Sequence, residues 1–252
     1  MPYIGRSGSY GPCLACPGAG CWAYLERKSM VRSRMTLILV TGLILASGCS
    51  DAQDDRVEGS GTVISVTRSL NDVRAVSLAS VGDVEVLIGD DESIVMEGED
   101  NLIPFITTDV SDGVLTIGVR EETSLNQTRT MHFQVTVDRL ELAEISGAGT
   151  IAIGDPGHDR IELSIPGAGT ISAAGEVDQL TASISGTGTV DASRLVADDV
   201  IVKVSGAGNT TVWALDTLAV TLSGVGDVSY WGDPRVQQTI TGVGGLRSLG
   251  NR

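Results

Sequence analysis

A short glycine phrase, repeated six times in the second half of the chain, constrains the fold more than any other feature of this sequence. Each copy has the form Gly-x-Gly, and the first glycines of successive copies are 18 to 20 residues apart. A fixed period in this range is typical of solenoids, in which each repeat forms one turn of a wound column. The twelve glycines are Gly147, Gly149, Gly167, Gly169, Gly186, Gly188, Gly206, Gly208, Gly224, Gly226, Gly242 and Gly244.

Alternating apolar residues on both sides of each phrase predict that the repeats are β-strands. Leu180, Ala182 and Ile184 precede the phrase at Gly186, and Val190 resumes the alternation after it. Period two places one set of side chains on one face of a strand, whereas a helix would show period 3.6. Stacked strands lie about 4.8 Å apart. The sequence therefore predicts an all-β fold, a β-helix with coils of 18–20 residues.

Glycine suits the corners of such coils. Because it has no Cβ, it adopts positive φ and lets the backbone bend sharply beside its neighbours in the stack. We therefore expect all twelve glycines to be structural corner positions.

Residues 30–48 have the pattern of a signal peptide. A basic start is followed by ten apolar residues, too few to cross a bilayer as a helix. The run Ala46-Ser47-Gly48-Cys49 resembles the lipobox of bacterial lipoproteins. This resemblance implies acylation of Cys49 and, from Ser50, an outer-membrane location if the organism is Gram-negative. The alternative is an ordinary cleaved signal peptide and a soluble periplasmic or secreted product.

The segments on either side of this signal have different compositions. Residues 1–29 are rich in glycine and proline and hold three cysteines with no histidine nearby. A structural metal site needs four suitably spaced ligands, so we interpret this stretch as an extension upstream of a true start at Met30 or Met35. Residues 49–60 are polar and acidic, which predicts a tether between a membrane anchor and a domain.

Charge excludes one class of partner. From Cys49 to the C-terminus the chain has 12 basic and 31 acidic residues. Such a surface repels phosphate backbones, so we expect no binding to nucleic acids. We interpret the charge as a solvated acidic coat.

The domain from residue 61 to 250 has an irregular first part, 61–138, and a regular second part, 139–250. The run Val81-Gly82-Asp83-Val84 repeats Val225-Gly226-Asp227-Val228, so the first part is expected to begin the same solenoid and to cap its open end. Asp112-Gly113 lies between two alternating segments and predicts a hairpin.

Five motifs of this domain occur in a fixed order over roughly residues 60–250. They are the run from Ser80 to Val86, Asn101-Leu102-Ile103-Pro104, the run from Asp112 to Ile117, Tyr230-Trp231-Gly232-Asp233-Pro234 and Thr241-Gly242-Val243-Gly244. In this order they resemble the bacterial DUF2807 family, also called the autotransporter adhesin head GIN domain. The resemblance implies a right-handed, single-stranded β-helix on a secreted or lipid-anchored protein.

The titratable residues show no pattern of a catalytic centre. His132 and His158 stand in different contexts and form no triad or metal motif. Lys203 is the only lysine after residue 49, and no column of acids recurs. We expect no enzyme activity, no metal and no cofactor. The alternative is a carbohydrate-active β-helix enzyme, a polysaccharide lyase or hydrolase, which requires acids and a base that converge in a groove.

Three aromatic residues are the candidate binding site. Seven positions past each first glycine the sequence has Gly154, Ala174, Ser193, Trp213, Trp231 and Leu249. Equal spacing predicts that Trp213 and Trp231 stack on an outward face next to Tyr230, as a platform for sugar rings or a protein partner. The alternative is that they pack against the tail, residues 246–249.

These observations together predict an exported, lipid-anchored cell-envelope protein. It would present a non-catalytic β-helix surface for adhesion or for binding a glycan or protein ligand. Association of copies through a solenoid end is also possible on this sequence.

Overall fold

The computed structural model describes residues 56–251, which form a β-solenoid of about five turns. One short 3-10 helix, Ile103–Phe105, interrupts the strands. The strands are β1 (Arg56–Glu58), β2 (Val63–Ser69), β3 (Ala75–Leu78), β4 (Val81–Ile88), β5 (Ser93–Glu99), β6 (Ile106–Ser111), β7 (Val114–Val119), β8 (Ser124–Asn126), β9 (His132–Val137), β10 (Leu142–Ile145), β11 (Ala148–Ile153), β12 (Arg160–Ile165), β13 (Ala168–Ile184), β14 (Thr187–Val204), β15 (Ala207–Leu222), β16 (Val228–Trp231), β17 (Arg235–Ile240) and β18 (Leu246–Ser248).

The all-β prediction and the stacked coils are confirmed. The predicted extension, the signal peptide and Cys49 lie outside the described residues.

Successive coils pair in parallel along two walls. Wall A contains β7, β3, β10, β12, the second parts of β13, β14 and β15, and β17. Wall B contains β9, β4, β11, the first parts of β13, β14 and β15, then β16 and β18. The long strands β13, β14 and β15 bend from one wall to the other, which gives each full coil its closed outline.

The core consists of columns of inward side chains that the parallel register holds one above another. All the residues of the two columns below are buried. Burial of each such aliphatic side chain contributes roughly 1.5–3 kcal/mol, so the columns account for much of the stability. One column, on wall B, is Val84, Ile151, Ile171, Val190, Thr210 and Val228; another, on wall A, is Val76, Ala143, Leu163, Ala182, Val202 and Val220.

The glycine phrases lie where the chain turns from wall A to wall B. The sequence pattern predicts that these positions need glycine for a positive φ, but for most of them the structure shows a different reason. Only Gly149, Gly226 and Gly244, of the twelve, have φ between +20° and +160°. The common requirement is close approach: a Cβ on Gly186 would lie 2.0 Å from the carbonyl oxygen of Gly167 in the coil below. Glycine is therefore needed mainly because neighbouring corners touch through their backbones.

The first part of the domain starts the solenoid and adds antiparallel strands to its end. Gly82 on β4 is in register with Gly149 on β11, so the earlier phrase is the first corner of the stack. On wall B, β9 continues in antiparallel fashion to β5 and then β2. On wall A, β6 and β7 form a hairpin whose turn residues Asp112 and Gly113 have φ of 54° and 81°, as a type I′ turn requires.

From Arg56 onward, the segment predicted as a tether is part of the domain. β1 pairs in parallel with β8, and the Asn101 amide donates a hydrogen bond of 2.7 Å to the carbonyl of Glu58. The backbone of Arg56–Glu58 hydrogen-bonds to the edge of β8, which has no other strand partner among the described residues. Residues 56–58, which the sequence placed in the tether, are therefore part of the folded domain.

The buried carboxylate of Glu99 hydrogen-bonds to the N-terminal segment of the domain. Glu99 is inaccessible to solvent and accepts hydrogen bonds from the N–H of Gly61 at 2.7 Å and from the Thr128 hydroxyl at 2.6 Å. The Thr128 hydroxyl, together with backbone N–H groups of Gly61, Thr128 and Arg129, holds the pKa of Glu99 below its ordinary value, although burial opposes this shift. The ionised carboxylate thus joins three segments of the chain.

Candidate binding face

The outer face of wall B carries two rows of side chains that run across the coils, and all of them except Ala152 are polar. We call this surface the ladder face. Neither row contains a lysine or an arginine. Row one covers four strand steps, from β4 to β15, and row two covers five, from β4 to β16, so the rows are about 19 Å and about 24 Å long. Row one is Asp83, Thr150, Thr170, Thr189 and Asn209; row two is Glu85, Ala152, Ser172, Asp191, Thr211 and Ser229.

Hydrogen bonds between coils fix the ladder face. The Thr150 hydroxyl donates to Asp83 Oδ1 at 2.6 Å. At the other end, Asn209 Oδ1 accepts from the N–H of Asp227, and Asp227 Oδ1 accepts from the N–H of Gly245, each at 3.0 Å. These side chains reach one coil along the stack because consecutive coils lie a single strand spacing apart. The face is therefore pre-organised.

A groove of about 440 Å³ opens at the N-terminal end of the ladder face. Its polar groups belong to Asp83, Glu85, Glu97, His132, Gln134 and Thr150. The Gln134 amide donates to Glu85 Oε2 at 3.4 Å, whereas His132 Nδ1 lies 3.7 Å from Asp83 Oδ2, beyond hydrogen-bond reach. The groove thus offers several acceptors together with an amide and an imidazole, which is a set suited to hydroxyl groups.

Sequence reasoning did not find this groove. Glu97 and His132 are cross-strand neighbours only because β5 folds back antiparallel on β9. Asp83 comes to the other side of His132 through the parallel pairing of β4 with β9. The alternation within each strand predicted that these residues face outward, but no local signal shows which strands are adjacent.

Two of the three predicted aromatic residues share a face. Trp213 on β15 and Trp231 on β16 are register partners and are half-buried. They follow Thr211 and Ser229 on their strands by two positions, so they lie on the ladder face at the end opposite the groove. The predicted placement of Tyr230 is wrong, because Tyr230 alternates with Trp231 and packs against the core.

The predicted column of the tryptophans also needs a correction. Trp213 pairs with Val196 and not with Ser193, because the register between β14 and β15 shifts after Ala192. The coil that starts at Gly186 has 20 residues and the next has 18, so equal spacing fails there. The tail does reach this site: β18 pairs with β16, and the N–H of Leu249 donates to the carbonyl of Tyr230 at 2.8 Å.

The other titratable residues do not assemble into a second site. His158 lies in a turn, where its Nδ1 accepts from the N–H of Arg160 at 3.1 Å. Within residues 56–251, no three His, Cys, Asp or Glu side chains are arranged to hold a metal ion. Over the same residues, no helix has the length and apolar character to cross a membrane.

The fold and this face define the class of the protein: a stacked β-solenoid with an ordered polar face on one wall. The model of the family described as "Putative auto-transporter adhesin, head GIN domain" matches residues 73–234. The chain belongs to this family, DUF2807, as the sequence motifs predicted. Membership supports a non-catalytic, adhesion-like role at the cell surface or envelope.

Solved structures of bacterial proteins are similar to the chain, and the first of them shares its fold. A putative adhesin from Bacteroides fragilis NCTC 9343 is 18% identical with a TM-score of 0.64, covering 77% of this chain and 100% of that one. A putative adhesin from Parabacteroides distasonis ATCC 8503 is 22% identical over the same shares, with a TM-score of 0.45. No curated protein matches the chain.

Proposed function

We propose that this is an exported, lipid-anchored envelope protein whose ladder face binds an extended, neutral glycan. One observation carries the proposal: an acceptor-rich groove and a pair of tryptophans lie at opposite ends of one face whose outward side chains are, apart from Ala152, polar. A ligand that contacts both ends of this face must be an extended chain, because a compact molecule would not reach from the groove to the tryptophans.

The chemistry of the face favours a sugar without charge. Carboxylates, hydroxyls and amides hydrogen-bond well to sugar hydroxyls, and an aromatic ring offers an apolar surface to the face of a sugar ring. Acidic polysaccharides would meet Asp83, Glu85 and Asp191 with no lysine or arginine in either row, so repulsion would weaken their binding. The net charge of −15 acts in the same direction.

Binding to immobilised polysaccharides tests this function. We expect the protein to bind neutral polysaccharides and not acidic ones, and Trp231→Ala and Gln134→Ala each to weaken binding about 10-fold, since each removes a contact of roughly 1–2 kcal/mol. Ile201→Ala is the matched control, because Ile201 is an exposed apolar residue on wall A. Equal binding of acidic polysaccharides, or equal loss in the control, would contradict the proposal; circular dichroism verifies folding of each variant.

Lipid anchoring is a separate part of the proposal. It is supported by the signal pattern of residues 30–48 and by membership of an adhesin-like family. We expect globomycin to retain the unprocessed precursor in cells that express the chain, and Cys49→Ser to abolish labelling with a radioactive fatty acid. A Cys49→Ser protein that still incorporates the label would exclude anchoring at this residue.

The groove favours one second candidate, hydrolysis of the bound polysaccharide. Asp83 and Glu97 stand on the strands that flank His132, so their Cα atoms are two strand spacings, about 9.6 Å, apart. Both side chains line the groove, and from these positions their carboxyl groups can reach the separation of roughly 6.5–9.5 Å at which paired carboxylates act as acid and base. Release of reducing ends by the wild type, lost in both Asp83→Asn and Glu97→Gln, would establish an enzyme; we expect no release above background.

A further inference from the structure

The C-terminal end of the solenoid is open. Among residues 56–251, β17 pairs only with β15, and β18 pairs only with β16. Val236 and Ile240 on β17 are 41% and 37% exposed, whereas their register partners one coil below, Leu218 and Leu222, are 1% and 0% exposed. The apolar column therefore ends at a surface that nothing in the described chain covers.

The outer edge of β17 also presents backbone groups. The N–H of Thr241 donates to the carbonyl of Leu222 in the coil below. Because successive amides of a strand point to opposite sides, the N–H and C=O groups of Val236, Gln238 and Ile240 point to the open side. An edge of this kind is a template for pairing with another strand.

Charge distinguishes this end from the rest of the molecule. Residues 56–233 carry 28 acidic and nine basic side chains, whereas residues 234–252 carry three arginines and no acid. Two copies of the chain repel each other through most of their surfaces. Strand β17 and the residues after it are therefore the place where a second copy can approach without acid facing acid.

We propose that two copies of this chain join end to end by antiparallel pairing of β17 with β17, about a two-fold axis at Gln238. In this register Val236 lies opposite Ile240 of the second copy, so the apolar positions cover each other. Gln238 lies opposite Gln238 of the second copy, where two side-chain amides can hydrogen-bond reciprocally. The exposed strand is therefore complementary to itself.

The same register separates the positive charges. Arg235 lies opposite Thr241 of the second copy, so the two arginines stand at opposite ends of the strand pair, about 20 Å apart. The neighbouring register, centred on residue 237, would place Ile240 opposite Pro234, which has no N–H to donate. Since the interface is the same patch on both copies, association closes at two and does not continue into a filament.

Disulfide trapping in cells that express the full chain tests the register. The Cα atoms of a directly hydrogen-bonded antiparallel pair are about 5.5 Å apart, within the range that a disulfide spans. We expect Gln238→Cys to give a covalent dimer on a non-reducing gel, above the background of the native cysteines in the wild type. Asp216→Cys, an exposed position away from the end, is the control. Absence of the dimer, or an equal dimer in the control, would overturn the register.

The mass of the purified full chain tests the interface independently. We expect sedimentation to give the mass of a dimer and Ile240→Asp to weaken association at least about 10-fold, because it places carboxylates in the covered patch. Thr221→Asp, exposed on wall A one coil below, adds the same charge and should leave the dimer intact. Circular dichroism verifies that both variants fold. A monomeric wild type, or a ladder of larger assemblies, would overturn the proposal.

Discussion

Replacing Gly186 by alanine should damage the solenoid far more than an ordinary glycine-to-alanine change. The new Cβ would lie 2.0 Å from the carbonyl oxygen of Gly167 and 2.4 Å from that of Pro166, whereas real Cβ contacts essentially never fall below 3.0 Å. The coils must therefore move apart by about 1 Å at this corner. That movement lengthens two hydrogen bonds, from Thr187 N–H to the carbonyl of Gly167 at 2.9 Å and from Gly186 N–H to that of Ile165 at 3.0 Å, beyond useful range.

The expected loss follows from these two bonds. Thr187 is exposed and Gly186 is half-buried, so water can reach the freed groups and each lost hydrogen bond costs about 0.5–1.5 kcal/mol. Gly186→Ala should therefore lower the free energy of unfolding by about 1–3 kcal/mol, against the 5–15 kcal/mol typical of a domain.

Gly154→Ala is the matched control for this experiment. No atom lies within 4 Å of a Cβ at Gly154, and its φ is outside the left-handed region. We expect this change to be neutral or to stabilise the domain by up to about 1 kcal/mol. Urea unfolding followed by circular dichroism compares the two variants with the wild type. A loss below about 1 kcal/mol for Gly186→Ala would refute the argument that backbone contact between coils dictates glycine.

Two further predictions concern buried polar groups. Thr210→Val should raise the free energy of unfolding by about 1–2 kcal/mol, because the Thr210 hydroxyl is buried without a hydrogen-bond partner in a column of aliphatic residues. Urea unfolding measures the change. An unchanged or lower stability would show that the hydroxyl has a hydrogen-bond partner. Glu99→Gln should destabilise the domain at neutral pH, because the amide replaces an acceptor of several N–H and O–H donors. The folded pKa of Glu99 is lowered, so its contribution is present above its ordinary pKa of 4.5 and is lost as pH falls through the folded value. Unfolding measured against pH should therefore show the difference between wild type and Glu99→Gln shrinking in acid, and a constant difference would contradict this role.

The coil architecture was predictable because each turn of the stack repeats the same sequence pattern, a strand of alternating apolar residues on each side of a Gly-x-Gly corner. The alternation before and after Gly186 fixed which side chains face inward, and parallel stacking then aligned them in columns. The same alternation contained the signal that was missed for Tyr230: it stands two positions after the buried Val228, which places it on the inward set.

Two features of the candidate site lay beyond local patterns. The pairing of Val196 with Trp213 depends on how a 20-residue coil absorbs its extra residues against an 18-residue neighbour, and spacing alone does not show where the bulge forms. The groove depends on contacts between distant segments, such as Gln134 with Glu85, which are 49 positions apart in the chain. Periodicity carries no information about such pairings.

The parallel stacking of near-identical coils gives this domain an adjustable length. A barrel must close on itself, so its strand number is fixed by geometry, whereas a coil here pairs through its backbone only with the coils directly before and after it. Duplication or loss of one whole repeat would leave matching surfaces on both sides of the junction. Gain or loss of whole repeats during evolution can thus change the length of the solenoid in increments of about 4.8 Å, the spacing of one coil.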